Sequence, residues 1–166
     1  DFVADIVMRY MEVKKIQSYM LEGYWKNIAT NQSYYETNMD FLKKDVRDYF
    51  LKSAPPIFSK SGDLPPAKYN PGAVVKNSII MPNTVIKKAA YIDYVISIVF
   101  QKVNIGKGCV IRNSIILNDV IIGENCVIEN CIVESRDTIG RDSSYIGEPG
   151  KVRVVVEKSL RYPESI

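Results

Sequence analysis

From about Ala73 onward, short aliphatic runs alternate with Gly, Asn and Asp at a fixed interval. The run Ile105-Gly-Lys-Gly-Cys-Val-Ile-Arg-Asn-Ser-Ile-Ile lies over Ile122-Gly-Glu-Asn-Cys-Val-Ile-Glu-Asn-Cys-Ile-Val, and Ile139-Gly begins a third copy. The period is 17 residues, with seven identities between 105–121 and 122–138. The earlier run Tyr94–Gly106 fits the same frame at Ser97, Val103, Ile105 and Gly106. Within a period, aliphatic residues recur near every sixth position: Ile105, Ile111, Ile116, then Ile122, Ile128, Val133, then Ile139. That pattern predicts three short strands per turn of a triangular coil over residues 73–156. The aliphatic side chains would point to the axis and stack on the next coil at about 4.8 Å. Gly106, Gly123 and Gly140 are expected at corners with positive φ. Asn77, Asn113 and Asn130 are expected as a corner ladder, and Cys109 and Cys126 as small inward residues.

The first fifty residues follow a different pattern. Phe2, Ile6, Val7 and Tyr10 recur at helical spacing, while Lys14–Ile28, rich in Tyr, Ile, Met and Trp, reads as a strand pair. Thr30 or Asn31 can cap a helix whose apolar residues are Tyr34, Tyr35, Met39, Phe41 and Leu42, and Asp45–Phe50 adds a second short helix. Pro55-Pro56 and Pro65-Pro66 then mark a stiff, extended connection. The fold expected is mainly β, in three parts: an α+β segment over 1–50, a Pro-rich linker over 51–72 and a coil domain over 73–166.

Composition narrows the chemistry. The net charge is +3, split between 10 basic and 9 acidic residues in 1–70 and 12 and 10 in 71–166, so neither half is a nucleic-acid arm. No apolar stretch approaches the roughly 18–20 residues needed to span a bilayer. The chain has no histidine, which removes the usual general base of hydrolases and acyltransferases and the commonest transition-metal ligand. Cys109, Cys126 and Cys131 form an odd set without a CxxC pair, consistent with core packing in a reducing cytoplasm rather than disulfides or zinc. The start at Asp1, with no leader pattern, reads as a piece of a longer chain.

The 17-residue frame of hexads resembles the left-handed parallel β-helix of hexapeptide-repeat proteins, a repeat that specifies fold rather than chemistry. Gly23-Tyr-Trp-Lys-Asn-Ile-Ala-Thr30, followed by Tyr34-Tyr-Glu-Thr-Asn-Met-Asp-Phe-Leu42, resembles the motif that closes the nucleotidyltransferase domain of bacterial glucose-1-phosphate adenylyltransferases (ADP-glucose pyrophosphorylases). Pro65-Pro-Ala-Lys-Tyr69, Val75-Lys-Asn-Ser-Ile-Ile80 and Ile146-Gly to Val154-Val-Val-Glu-Lys158 resemble, in order, that family's approach to the coils, its first rung and its closing segment. The resemblance implies the C-terminal portion of such an enzyme, from the glycogen pathway of the cytoplasm, with the catalytic loop and Mg²⁺-binding Asp lying elsewhere. It implies no catalytic residue and no metal ligand within the chain, and Mg²⁺ as cofactor of the complete enzyme only.

Two departures from the motif carry the functional reading. The family's metal-binding acid is here Asn27, and the following Gly is Ala29; Trp25 matches the residue lining the sugar-phosphate site. An amide holds a hard divalent cation more weakly than a carboxylate. The resemblance therefore points to a non-catalytic regulatory subunit, as in the two-subunit enzymes of Gram-positive bacteria, retaining Trp25 and Asn27 as a vestigial substrate site. Its implied partners are the catalytic subunit and further copies, held through the β-helix, and a sugar-phosphate effector at Lys158 and Arg153. By composition alone Lys158 reads as a surface charge that discourages edge pairing. The competing readings are a catalytic subunit of the same enzyme, a hexapeptide acyltransferase, which the lack of histidine disfavours, and a purely structural assembly module.

Overall fold

A computed structural model describes residues 2–52, 62–92 and 97–157. Residues 53–61, which hold Pro55-Pro56 and much of the expected linker, lie outside the described residues, as does Lys158.

Among the described residues, fifteen short strands form five triangular coils. They are β1 (Lys68–Tyr69), β2 (Val74–Val75), β3 (Ser78–Ile80), β4 (Val85–Ile86), β5 (Tyr91–Ile92), β6 (Ser97–Val99), β7 (Asn104–Ile105), β8 (Val110–Arg112), β9 (Ile115–Ile116), β10 (Ile121–Ile122), β11 (Val127–Glu129), β12 (Cys131–Val133), β13 (Thr138–Ile139), β14 (Ser144–Ile146) and β15 (Arg153–Val155). Every third strand joins the same parallel sheet, giving β1-β4-β7-β10-β13, β2-β5-β8-β11-β14 and β3-β6-β9-β12-β15. The fold is thus the expected parallel β-helix. Its first strand, Lys68–Tyr69, already lies within the stretch read as linker.

The expected columns are present. Ile86, Ile105, Ile122 and Ile139 stand in register in the first sheet, Ile92, Ile111 and Ile128 in the second, and Val99, Ile116, Val133 and Val155 in the third, all in one buried core. Full burial of each such side chain contributes about 1.5–3 kcal/mol. The corners are filled by smaller groups. Cys109 Sγ donates to Gly123 O at 2.9 Å and Cys126 Sγ to Gly140 O at 3.0 Å. Burial pushes the Cys109 thiol up to about 11 and raises that of Cys131. All three thiols are free and buried, so they are packing groups rather than nucleophiles.

The period departs from 17 in two places. Val85 pairs with Asn104 and Tyr91 with Val110, a step of 19 whose two extra residues fall between Ile92 and Ser97. Cys131 pairs with Arg153, a step of 22 that places five extra residues between β14 and β15.

The corner glycines need a correction. Gly106, Gly123 and Gly140 do not take positive φ; that conformation belongs to three other ladders. One is Gly72, Ala89, Gly108, Asn125 and Asp142, the second is the expected Asn77, Asn113 and Asn130, and the third is Asn83, Lys102, Asp119 and Arg136. Asn and Asp tolerate this backbone because their short polar side chains bond locally. Gly106 and Gly123 are required for a different reason. A Cβ on Gly106 would run into Gly123 O, and one on Gly123 would lie 2.5 Å from Arg141 N of the next coil.

The amino-terminal segment opens with a π-helix, Phe2–Met8, followed later by α1 (Asn31–Asp40) and α2 (Lys44–Lys52). Thr30 is the N-cap of α1, in a reciprocal capping box with Ser33. The strand pair expected over Lys14–Ile28 does not form; this stretch has no regular secondary structure. Two short strands need a further strand or a packed face to persist, and here Tyr19, Met20 and Leu21 are all exposed.

Candidate functional site

The motif Gly23–Thr30 separates into residues that build and residues that are presented. Gly23 takes φ +152 beneath Tyr49, whose hydroxyl would lie 2.6 Å from any Cβ. Tyr24 packs edge-on against Phe50 of α2, which also stacks on Phe41 at 5.2 Å and meets Tyr49. The buried carboxylate of Asp40, at the end of α1, ties this knot. It accepts from Tyr24 Oη at 2.9 Å, Lys26 Nζ at 3.2 Å and Lys43 Nζ at 2.7 Å. Burial pushes that carboxyl up, but the hydrogen bonds from Lys43, Tyr24 and Lys26 outweigh it and hold it below its ordinary value. Trp25 and Asn27 take no part in this knot. Trp25 is 71% exposed, and the exposed Asn27 amide has no hydrogen-bond partner among the described residues.

Helix α1 is also what joins this motif to the β-helix. The middle strands of the third sheet, β6, β9 and β12, are buried on both faces. Val99, Ile116 and Val133 point into the core, while their neighbours Ile98, Ile115 and Ile132, aligned in one row, are buried outside it. Helix α1 packs against β6 on that outer face. Tyr35 Oη donates to Asn113 O at 2.9 Å, and burial pushes the phenol up to about 12. At the other end, Val152 N donates to Gln32 Oε1 at 2.8 Å, so the long loop of the last coil reaches the first turn of α1.

Arg153 opens β15 beside that loop. Its guanidinium lies 5.2 Å from the centroid of the Tyr145 ring, at the edge of a cleft of about 260 Å³ formed by Ile146–Glu148 and Lys151–Arg153. No hydrogen bond or ion pair joins Trp25 or Asn27 directly to Arg153 among the described residues; the Gln32–Val152 hydrogen bond ties the residue before Arg153 to the first turn of α1. Gln32 and the outer row of the third sheet fall outside the quoted motif, and Tyr35 and Asp40 fall inside it without any sign of the partners the fold gives them. The adjacent aliphatic pairs Ile79-Ile80, Ile98-Val99, Ile115-Ile116 and Ile132-Val133, one per coil, do carry the signal of a doubly buried strand.

Residues 65–152 match the family described as GlmU-like, C-terminal hexapeptide. The chain belongs to this hexapeptide family. Within it, the chain is similar to curated glucose-1-phosphate adenylyltransferases. It is 34% identical over 116 residues to that of Thermosipho melanesiensis, covering 68% of this chain and 26% of the relative. It is 37% identical over 108 residues to that of Bacillus subtilis strain 168, covering 64% and 27%. It is 33% identical over 113 residues to that of Geobacillus stearothermophilus, covering 68% and 28%. The chain thus spans little more than a quarter of the length of the relatives it matches. As a hexapeptide-family member it places its coil columns where the repeat requires, and no helix among its described residues is long and apolar enough to cross a membrane.

Proposed function

We propose that the chain is the C-terminal regulatory and oligomerisation portion of a glucose-1-phosphate adenylyltransferase subunit that does not itself turn over. The complete enzyme would join ATP and glucose 1-phosphate to give ADP-glucose and pyrophosphate for glycogen synthesis in the cytoplasm, with chemistry supplied by a catalytic partner subunit. The observation carrying this reading is the split within one motif. Gly23, Tyr24 and Thr30 keep their building roles, whereas the position of the metal-binding acid is an exposed, neutral Asn27. An amide with no group of three or more acidic, Cys or His side chains gathered among the described residues does not fit Mg²⁺. In this reading Trp25 and Asn27 are a vestige of the sugar-phosphate site, as the family resemblance implies.

Arg153, beside Lys151 and the Tyr145 ring, would supply positive charge for a sugar-phosphate effector at the end of the β-helix; the family resemblance adds Lys158, which lies outside the described residues. Self-association and pairing with the catalytic subunit would use the β-helix, whose second sheet carries the half-buried Val74, Val110 and Val127 on its strands and whose end strands have no further strand partner among the described residues.

The test is an assay of the protein at its native length with ATP, glucose 1-phosphate and Mg²⁺, alone and mixed with a catalytic subunit. Little or no ADP-glucose should form alone, with turnover down by roughly three or more orders of magnitude relative to the catalytic subunit. Mixing should raise activity or effector sensitivity, and Arg153→Gln should blunt the latter. Robust turnover by the purified protein alone would restore the catalytic-subunit reading. Recovery of activity in Asn27→Asp alone would show that the remaining catalytic groups are intact.

A further inference from the structure

One backbone hydrogen bond recurs along the first sheet and ties each coil to the next. Lys68 N donates to Thr84 O, Val85 N to Val103 O, Asn104 N to Val120 O and Ile121 N to Asp137 O. The accepting residues form one column, and the side chains of Thr84, Val103 and Val120 are shut from solvent. Asp137, the last of them, is only 3% exposed, so a carboxylate stands where the two preceding coils have valine. Burying such a group is costly unless it is hydrogen-bonded. Asp137 meets that condition with two backbone donors: its Oδ1 accepts from Thr138 N at 2.8 Å and its Oδ2 from Glu157 N at 2.6 Å.

Both donors are groups that the end of a solenoid leaves over. Thr138 is the next member of the donating series Lys68, Val85, Asn104 and Ile121, but β13 is the last strand of its sheet among the described residues, so no further coil offers it a carbonyl. Asp137 Oδ1 takes that N–H instead. Glu157 stands two residues past β15, and Oδ2 holds the departing chain across the end of the first sheet. Ile139, last in its column, is 1% exposed although no described strand stacks beyond it. We infer that Asp137 is the stop of the β-helix: it fills the bond that a further coil would take, pins the crossing chain at Glu157, and so keeps the first coil of a second copy from stacking head to tail on the last. The edge that would dock there is β1, where Tyr69 is exposed. A head-to-tail contact of this kind need not close and can grow into a filament, which an unfilled sheet edge invites. The role is independent of the subunit's catalytic status and of any effector.

The experiment compares the protein at its native length with Asp137→Asn and Asp137→Val. Asn keeps the shape and one acceptor oxygen but turns an NH₂ group toward the other donor, so one of the two amides is released; Val restores the aliphatic column and releases both. Amide hydrogen exchange, resolved to single residues by electron-transfer fragmentation, should find Thr138 and Glu157 protected in the parent. At least one should exchange at least about tenfold faster in Asp137→Asn, and both in Asp137→Val. In sedimentation velocity, Asp137→Val should also grow with concentration beyond the parent's largest species while its circular dichroism keeps the parent's β signal. Parent-like protection of both amides in both variants would overturn the inference. So would a folded Asp137→Val that exchanges fast yet sediments as the parent at every concentration. Should Asp137→Val not fold, Asp137→Asn decides through the same two readouts: faster exchange with growth beyond the parent supports the stop, and the lack of either overturns it.

Discussion

The middle coils of the β-helix and the first thirty residues contain similar proportions of large apolar side chains and treat them in opposite ways. Ile105, Ile111, Ile116, Ile122 and Ile128 are all shut from solvent, whereas Phe2, Tyr19, Met20 and Trp25 are mostly exposed. In a solenoid, the environment of each residue is supplied by the residue one period away, so a repeated pattern carries its own partners. Residues 2–30 have no such repeat. Their order comes from a few specific long-range anchors: Asp40, the Phe41–Tyr49–Phe50 cluster and the docking of α1 on the third sheet. The coils should therefore lose stability in proportion to buried volume, and the amino-terminal segment in proportion to individual hydrogen bonds.

The largest effect expected is that of Ile122→Asp. Its carboxylate would replace a side chain 2% exposed in the middle of a four-residue column, at a cost of several kcal/mol. Loss of the β-sheet circular dichroism signal together with cooperative unfolding would support the column; a folded variant with an unchanged melting temperature would break it. Smaller, but more discriminating, is a pair of changes in one ladder. Gly123→Ala forces a methyl against Arg141 and should cost about 1–3 kcal/mol, while Gly140→Ala, whose nearest neighbour is Ser143 Oγ at 3.7 Å, should be close to neutral. Equal melting temperatures for the two variants would show that coil spacing relaxes more easily than the packed backbone suggests.

The smallest effect should come from the amino-terminal segment. Asp40→Asn weakens three hydrogen bonds and should cost about 1–2 kcal/mol at neutral pH, leaving the coils folded. Because the folded carboxyl titrates below its ordinary value, its contribution is complete above that value and disappears as pH falls through the lowered one. The gap between parent and variant should accordingly close in strong acid. A gap that persists there, or one that widens, would mean that Asp40 acts through shape rather than charge. Chemical denaturation followed through Trp25 fluorescence, across pH, reads this directly.

The two regions were legible to different degrees. Seventeen-residue spacing placed Ile105, Ile122 and Ile139 in one column, and the choice of Thr30 or Asn31 as cap placed the start of α1 to within a residue, because both depend on residues close in sequence or repeated along it. The exposed Tyr, Met and Trp of Lys14–Ile28 imitate strand composition, and nothing local reveals that no partner strand pairs with them. The candidate site divides along the same line. Asn27 could be marked because it breaks a motif, whereas Gln32 and Asp40 stand in α1 as ordinary polar helix residues whose distant partners only the fold supplies.

The sequence by itself determined the β-helix, the direction in which its aliphatic side chains point and the substitution of an amide for an acid at position 27, since period and residue identity are properties of the chain alone. Only the tertiary structure decided that Gly106 and Gly123 are needed for coil approach rather than for positive φ. It also decided that the middle of the third sheet is buried on its outer face, where α1 packs against β6, and that the loop of the last coil reaches Gln32. Those facts depend on the distance between segments far apart in sequence, and a packing distance is fixed by which surfaces exclude water from one another, not by the order of residues within either surface.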